Sequence, residues 1–388
     1  MHSKNHIKMR EENIVFFFLL GGYFVITLIL FYHQAVQTDG LYPSDAEGYV
    51  TFLKEKHHTF SYPVLFFLSD FFSHFMSVEG AFALALSILN ALTPVCIKYY
   101  MDKYATSDKT CDRWGRVFWV WALMFVGALY IPFLHPYRFS GVGSINAWHN
   151  ATLLSARSFG IVSFFLFYEI WETYKVSYDK KKNLIFAVVL AVLTLTKPSY
   201  TIVFLVVVFL IFLYELFCNR FHYLKRLILI SGSFLPTVVI LLLQYYLTYE
   251  TSSDGGIGYF PALVWYQVTD SVILSCLLLM AFPLSVYLMN IKKIKEHKLF
   301  NFSILSVLVG FSQAFCLYEK GGRILHGNFF WGYFQAVQIF YIVASIVFFN
   351  TFKERKTLYR WVGILLFLAH LICGIVYFGV VYKGGSYA

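Results

Sequence analysis

The chain has 388 residues, of which 59% are hydrophobic and only 13% charged, and its mean hydropathy is +0.64. A soluble domain carries about 25% charged residues, so this composition excludes an ordinary water-soluble globule and points to the bilayer. The net charge is +10, but the basic residues sit in short loops between apolar runs; topology accounts for them, and nucleic acid is not an expected partner.

Taken in order, the apolar runs mark about 11 candidate spans. They cover 13–32, 79–101, 117–134, 152–174, 184–196, 199–217, 227–248, 271–290, 299–318, 330–349 and 361–382. The run Asn13 to Tyr32 is too long for the apolar region of a signal peptide and lacks a small-residue cleavage site, so a retained span is expected. Alternate loops are basic. The N-terminus has Lys4, Lys8 and Arg10. Next come Lys103, Lys109, Arg113 and Arg116; Lys175, Lys180, Lys181 and Lys182; then Arg220, Lys225 and Arg226. Lys292, Lys293, Lys295 and Lys298 follow, and finally Lys353, Arg355, Lys356 and Arg360. The positive-inside rule therefore puts the N-terminus in the cytoplasm and the C-terminus outside. No repeat, low-complexity segment or long linker divides residues 1–388, which read as one transmembrane domain. The six cysteines lie mostly in spans or basic loops, so neither a disulfide nor a zinc site is expected.

The first outside loop, 33–78, has structure of its own. Ser44-x-x-Glu47 after Pro43 has the form of a capping box and predicts a helix starting near Ser44, with Tyr49, Phe52 and Leu53 as its apolar side. The stretch Tyr62 to Val78 looks like a span but carries Ser69, Asp70, Ser73, His74 and Ser77 on one helical face, with Leu68, Phe71, Phe72 and Phe75 on the other. A helix so divided lies along the interface better than it crosses. Reading it as a span would also invert every later loop.

The Asp45-Ala46-Glu47-x-Tyr49 pattern after the first span, followed by two interfacial helices and many spans, resembles the GT-C glycosyltransferase superfamily. These are integral-membrane enzymes that use polyprenyl-phosphate-linked sugars. The resemblance covers the layout of most of the chain and, as sequence, the few residues around Asp45. It implies an all-α polytopic fold and a bacterial plasma-membrane setting. It also implies inverting transfer of a sugar to a polysaccharide, lipid or cell-wall acceptor. Many members carry a large C-terminal extracytoplasmic domain, which this chain lacks.

On that resemblance Asp45 is the general base that takes a proton from the acceptor hydroxyl. Its ordinary alternative is a first-turn acid favoured by the helix dipole, which would also keep it ionised. Glu47 completes the capping box or assists catalysis; Tyr49 belongs to the same motif. Lys197-Pro198 ends an apolar run of 13 residues, about 20 Å of helix against a hydrocarbon core of roughly 30 Å. A lysine below the outer surface suits a lipid-phosphate head, or it snorkels from a tilted helix end. Arg157, just inside the outer boundary, either holds a lipid phosphate or snorkels to the headgroups, and it is preferred to His149 in the outside loop before it. In Glu319–Asn328, glycines let backbone N–H groups approach an anion and Arg323 and His326 supply charge and hydrogen bonds; a plain exposed turn is the alternative. The spacing is not that of a P-loop. Asn150-Ala151-Thr152 and Asn301-Phe302-Ser303 match the glycosylation triplet, but both abut spans and read as chance matches. Asp254–Gly258 reads as a flexible turn or lid.

No histidine motif of metal-binding type is present. A magnesium or manganese ion between Asp45 and a phosphate is compatible with hard oxygen ligands, but no spacing requires one. Two other functions stay open: a polymerase or ligase of lipid-linked oligosaccharides, and a transporter or flippase. The absence of basic residues in 249–270 argues against the first; the absence of a repeat argues against the second.

Overall fold

The computed structural model describes residues 10–37, 40–55, 63–249, 255–324, 326–352 and 356–386, the side chains of 293–295 excepted. Lys4, Lys8, Tyr62, Asp254, Leu325, Lys353 and Arg355, and the side chains of Lys293 and Lys295, lie outside the described residues. The regular structure of the described residues is helical, apart from one short ribbon. In order the helices are α1 (Glu11–Val36), α2 (Ala46–Lys54), α3 (Pro63–Ser73), α4 (Val78–Lys103), α5 (Thr110–Leu123), α6 (Ala151–Thr173) and α7 (Lys180–Thr196). Then come α8 (Pro198–Cys218), α9 (Leu224–Ser231), α10 (Leu235–Tyr249), α11 (Val272–Asn290), α12 (Lys298–Cys316), α13 (Asn328–Thr351) and α14 (Thr357–Tyr382). Strands β1 (Ile257–Tyr259) and β2 (Leu317–Glu319) pair antiparallel, with Gly258 opposite Tyr318.

Among the described residues nine helices are long and apolar enough to cross a membrane, counting α9–α10 as one continuous element. α5 and α7 have 14 and 17 residues and fall short of that length. The chain is thus an all-α protein whose helices suit multiple membrane crossings. α13 forms the hub: nearly every residue from Phe330 to Phe348 is buried, against α12, α8 and α11. Outer helices show large apolar side chains instead, such as Phe17 and Phe18 on α1, Val239 and Leu242 on α10, and Leu365 and Ile372 on α14. This is the reverse of a soluble bundle and fits lipid as the surrounding solvent.

Three local expectations change. The expected capping box does not form. Ser44 Oγ accepts from the Ala46 N–H at 3.3 Å, and Asp45 is the N-cap residue without capping through its side chain, which is engaged elsewhere. α3 buries Leu65, Phe66 and also Ser69, whose hydroxyl donates to Leu65 O at 2.7 Å. Its exposed side is the apolar row Phe67 and Phe71, continued by Phe75. α7 begins at Lys180, four residues before the apolar run, so it is roughly 26 Å long rather than about 20 Å.

The largest departure is at 117–134. α5 stops at Leu123, and residues 124–150 run without helix across the bundle. Hydropathy could not reveal this, because the segment is as apolar as a span. Its backbone polar groups still need partners at membrane depth. Asn146 Nδ2 donates to Leu123 O and Val126 O, at 3.0 and 2.8 Å, and so closes the end of α5. Gly127 N–H donates to His370 O, and Leu129 N–H to Leu278 O at 2.8 Å. The segment lies directly on α14: a Cβ at Gly374 would come within 1.8 Å of Phe125 O.

α11 supplies the matching break. Its helix is interrupted at Met280, and Pro283 has no N–H to give to Leu279 O. Tyr341 Oη donates to that carbonyl at 2.7 Å. Leu278 O is already taken by Leu129, and the Phe282 N–H turns to His370 Nε2 at 3.3 Å. His370 Nδ1–H donates to Gly127 O at 2.8 Å and lies 3.1 Å from Tyr341 Oη. These bonds fix the imidazole tautomer. Replacing His370 with Ala strands a buried amide and a buried carbonyl. Each costs about 1–3 kcal/mol, so an unfolding free energy lower by about 2 kcal/mol or more is expected in detergent. His370→Ala unfolding at the wild-type temperature or denaturant midpoint would remove this joint from the fold.

Candidate active site

The segment 124–150 ends where α6 begins, and its last residue organises the site. Asn150 N-caps α6: its Oδ1 accepts the Leu153 N–H at 2.8 Å. That bond orients the amide, so Nδ2 is the group pointing at Asp45, and it donates to Asp45 Oδ2 at 2.7 Å. The same Oδ1 receives Lys197 Nζ at 3.3 Å, and Lys197 also donates to Thr152 Oγ1 at 2.7 Å. Lys197 is buried in the turn between α7 and α8, with Pro198 starting the second helix. Its ammonium lies 5.4 Å from the centre of the Trp331 ring. Asp45 is further tied down by its backbone N–H, which donates to His149 O at 3.0 Å. One carboxylate, one amide and one ammonium are therefore in series, delivered by α2, α6 and the α7–α8 turn.

Asp45 is open to solvent yet crowded by protein, which describes a recess and not a flat surface. Crowding raises its carboxyl above the ordinary range, while the charges of Lys197 and His326 pull it partly back. Burial pushes Lys197 down to about 8, against upward pulls from Asp45 and Glu319. The lysine is thus a cation at neutral pH and loses its proton in mild alkali. His149 is pushed down to about 3 by burial and by Lys197, so it stays a neutral ring. It lies 3.4 Å from Tyr377 Oη and packs edge-on against Phe139, with ring centres 4.5 Å apart. Phe139, Trp331 and Tyr377 form an aromatic wall around it.

The expected residues divide. Asp45, Lys197 and His149 come together. His326 is exposed and near enough for its charge to act on Asp45; Arg323 is exposed on a 3-10 turn, Gly321–Arg323, in the same loop. Gly321 and Gly327 there adopt left-handed backbone, with φ of 67° and 60°. Glu47 is exposed on α2, and the Tyr49 ring packs on Phe66 and Phe82. Arg157 lies two turns deeper on α6, fully buried. Its guanidinium donates to Asn146 Oδ1 and Asn90 Oδ1, and Asn90 in turn donates to Tyr23 Oη at 2.8 Å. It clasps the unwound segment through Asn146.

Four participants escaped the sequence reading. Asn150 appeared only as part of a glycosylation triplet; its amide is buried and occupied. Its place directly before a span, as an N-cap, was the available signal. Thr152 and Trp331 had none. Glu319 ends β2, where it is buried and accepts from Tyr249 Oη and Asn328 Nδ2. All six cysteines are free, and among the described residues no group of three His, Cys, Asp or Glu could hold a metal. A divalent ion at Asp45 would thus rely on the substrate for most of its ligands.

No family model matches the chain, and neither a curated protein nor a solved structure matches it.

The coupling of Asp45 to Lys197 is measurable by carboxyl NMR of the labelled protein. In the wild type, Asp45 is expected to titrate above the ordinary aspartate value of about 3.9. Lys197→Met removes the main downward pull, so the midpoint should rise further. An unchanged midpoint would mean that the two charges do not share an environment.

Proposed function

We propose that the protein is a membrane glycosyltransferase of GT-C type, moving a sugar from a polyprenyl-phosphate donor to an acceptor on the extracytoplasmic side. The observation that carries this reading is the series Asp45–Asn150–Lys197 in a recess between α2, α6 and the α7–α8 turn. Among the described residues, Asp45 Oδ1 takes no hydrogen bond, so one carboxylate oxygen can receive a proton. The acceptor hydroxyl gives that proton to Oδ1 as its oxygen attacks the anomeric carbon. The bond to the phosphate oxygen breaks on the opposite face, which inverts the centre. Negative charge then grows on the departing phosphate, where Lys197, aided by Arg323 and His326, offsets it. Asn150 and Thr152 aim the ammonium, and the neutral His149 ring with Trp331 walls the pocket.

Basic loops alternating with loops poor in basic residues support a cytoplasmic N-terminus and an outside C-terminus; the bacterial plasma membrane is what the GT-C resemblance implies. α2 and α3 would lie at the outer interface, with the row Phe67, Phe71 and Phe75 in contact with lipid. With α5 and α7 counted as crossings, the bundle has about 11 spans.

Asp45→Asn keeps the bond from Asn150 but cannot accept the proton. Sugar transfer from a labelled polyprenyl-phosphate donor should fall about 10²–10⁴-fold, with donor binding retained. Full activity in a folded Asp45→Asn protein would end the assignment of Asp45.

A second reading, a transporter, draws on the broken α5 and the kinked α11, since interrupted helices at membrane depth line substrate paths in that class. Among the described residues the backbone groups at those breaks are taken up by Tyr341, His370 and Asn146. Solute uptake into proteoliposomes without any glycosyl transfer would favour it.

A further inference from the structure

The unwound segment carries a second cation that the mechanism above does not use. Arg138 closes the stretch Ile131-Pro132-Phe133-Leu134-His135-Pro136-Tyr137-Arg138. This stretch is a tight turn: the Leu134 and His135 N–H groups both donate to Ile131 O, at 2.9 and 3.0 Å. His135 is buried with its Nδ1 3.1 Å from Tyr137 O. Tyr130 Oη donates to Pro136 O at 3.4 Å. The turn is anchored at both ends. Before it, the Tyr130 N–H donates to Cys373 Sγ on α14. After it, Phe139 enters the aromatic wall beside His149.

Arg138 is held but not neutralised. Its guanidinium lies 4.8 Å from the centre of the Tyr130 ring. Among the described residues no carboxylate pairs with it, and its Nε is buried with no hydrogen-bond partner. A half-buried guanidinium without an anion is costly unless a ligand supplies one. Its surroundings say where that anion comes from. Phe133 is 86% exposed, Leu134 46% and Tyr137 50%, all within five residues of the charge. An exposed apolar tip next to an unpaired cation, on the side of the bundle that holds Asp45, matches a lipid with a phosphate head. Guanidinium is the side chain best shaped for that head, since it donates two parallel bonds to phosphate oxygens.

We propose that the 131–138 turn is the docking point of the lipid carrier: Arg138 holds the phosphate of a polyprenyl phosphate, and Phe133, Leu134 and Tyr137 contact its chain. Choosing a polyprenyl carrier over bulk phospholipid rests on the transferase reading; the need for a lipid phosphate rests on the turn alone. Phe139 then links the docked head to the pocket of Asp45 and Lys197.

The test is equilibrium binding to the full-length protein in phosphatidylcholine nanodiscs, with a long-chain polyprenyl monophosphate as probe. Arg138→Gln should weaken binding by about tenfold to a hundredfold, the loss of one or two charge-assisted hydrogen bonds. Arg138→Lys should recover part of it, and Phe133→Ser should weaken it with the cation intact. The matching polyprenol, without phosphate, should bind weakly and ignore Arg138→Gln. Unchanged probe binding in Arg138→Gln overturns the proposal, as does equal competition by phosphatidylglycerol, which would mark a general lipid surface. A wild-type protein that transfers no sugar but still shows Arg138-dependent binding would sink the transferase and leave the docking site standing.

Discussion

A backbone amide buried among apolar side chains has no water to turn to, and this fold is arranged around one place where that rule is strained. α5 ends at Leu123 while the chain is still among apolar helices. The groups exposed by that ending are met one by one by Asn146, His370 and α11. α11 can accept Leu129 at Leu278 O only because its own helix is broken at Met280 and Pro283. Two defects that would each be costly alone cancel each other, and His370 and Tyr341 absorb the remainder. Close approach of Gly127 to Gly374 permits the contact; a side chain at either would push the segment off α14.

The candidate site is a consequence of that joint. Because the helix stops early, 27 residues from Met124 to Asn150 are released to cross the bundle end. They bring Phe139 and His149 to Tyr377 and Trp331, and they deliver Asn150 to the start of α6. Arg157 belongs to this scaffold. Among the described residues its partners are neutral oxygens, those of Asn146, Asn90 and the Ile145 backbone, so its charge is spent on holding the segment in place. Burying a cation with no carboxylate is expensive, which is reason to expect that the segment's path matters to what the protein does.

The sequence showed the helices over most runs that were both apolar and long, and it offered Lys197 through a charge at unusual depth, Asp45 through the motif around it and His149 through its place before a span. It misplaced 117–134 because hydropathy measures side chains, whereas the break at Leu123 is a matter of backbone partners spread from residue 146 to residue 370. The bonds of Arg157 to Asn146 and Asn90 were hidden for a related reason: depth can be read from position along a span, but direction cannot. Asn150 and Glu319 were hidden because each is ordinary in its own stretch. Only the fold puts one between a carboxylate and an ammonium and the other within electrostatic reach of that ammonium. Ser44 and Glu47 satisfied a capping pattern that the structure does not use, since Asp45 is drawn away from its own helix by Asn150.

That displacement bears on the chemistry. A direct Asp45–Lys197 ion pair would hold the carboxyl low and occupy both its oxygens and the ammonium protons, leaving a stable but unreactive salt bridge. With the Asn150 amide between them, each charge feels the other through several ångströms of protein. The carboxyl remains raised by crowding, and so is a stronger base than a free aspartate, while the lysine stays charged up to about pH 8. The amide accepts from the cation and donates to the anion, so it aligns the pair without letting it collapse. Its own orientation is not adjustable, because the same oxygen caps α6 through the Leu153 N–H. A single helix cap thus keeps a carboxylate and a cation apart yet in register, the arrangement that the proposed transfer, which takes a proton at one end and releases an anion at the other, would use.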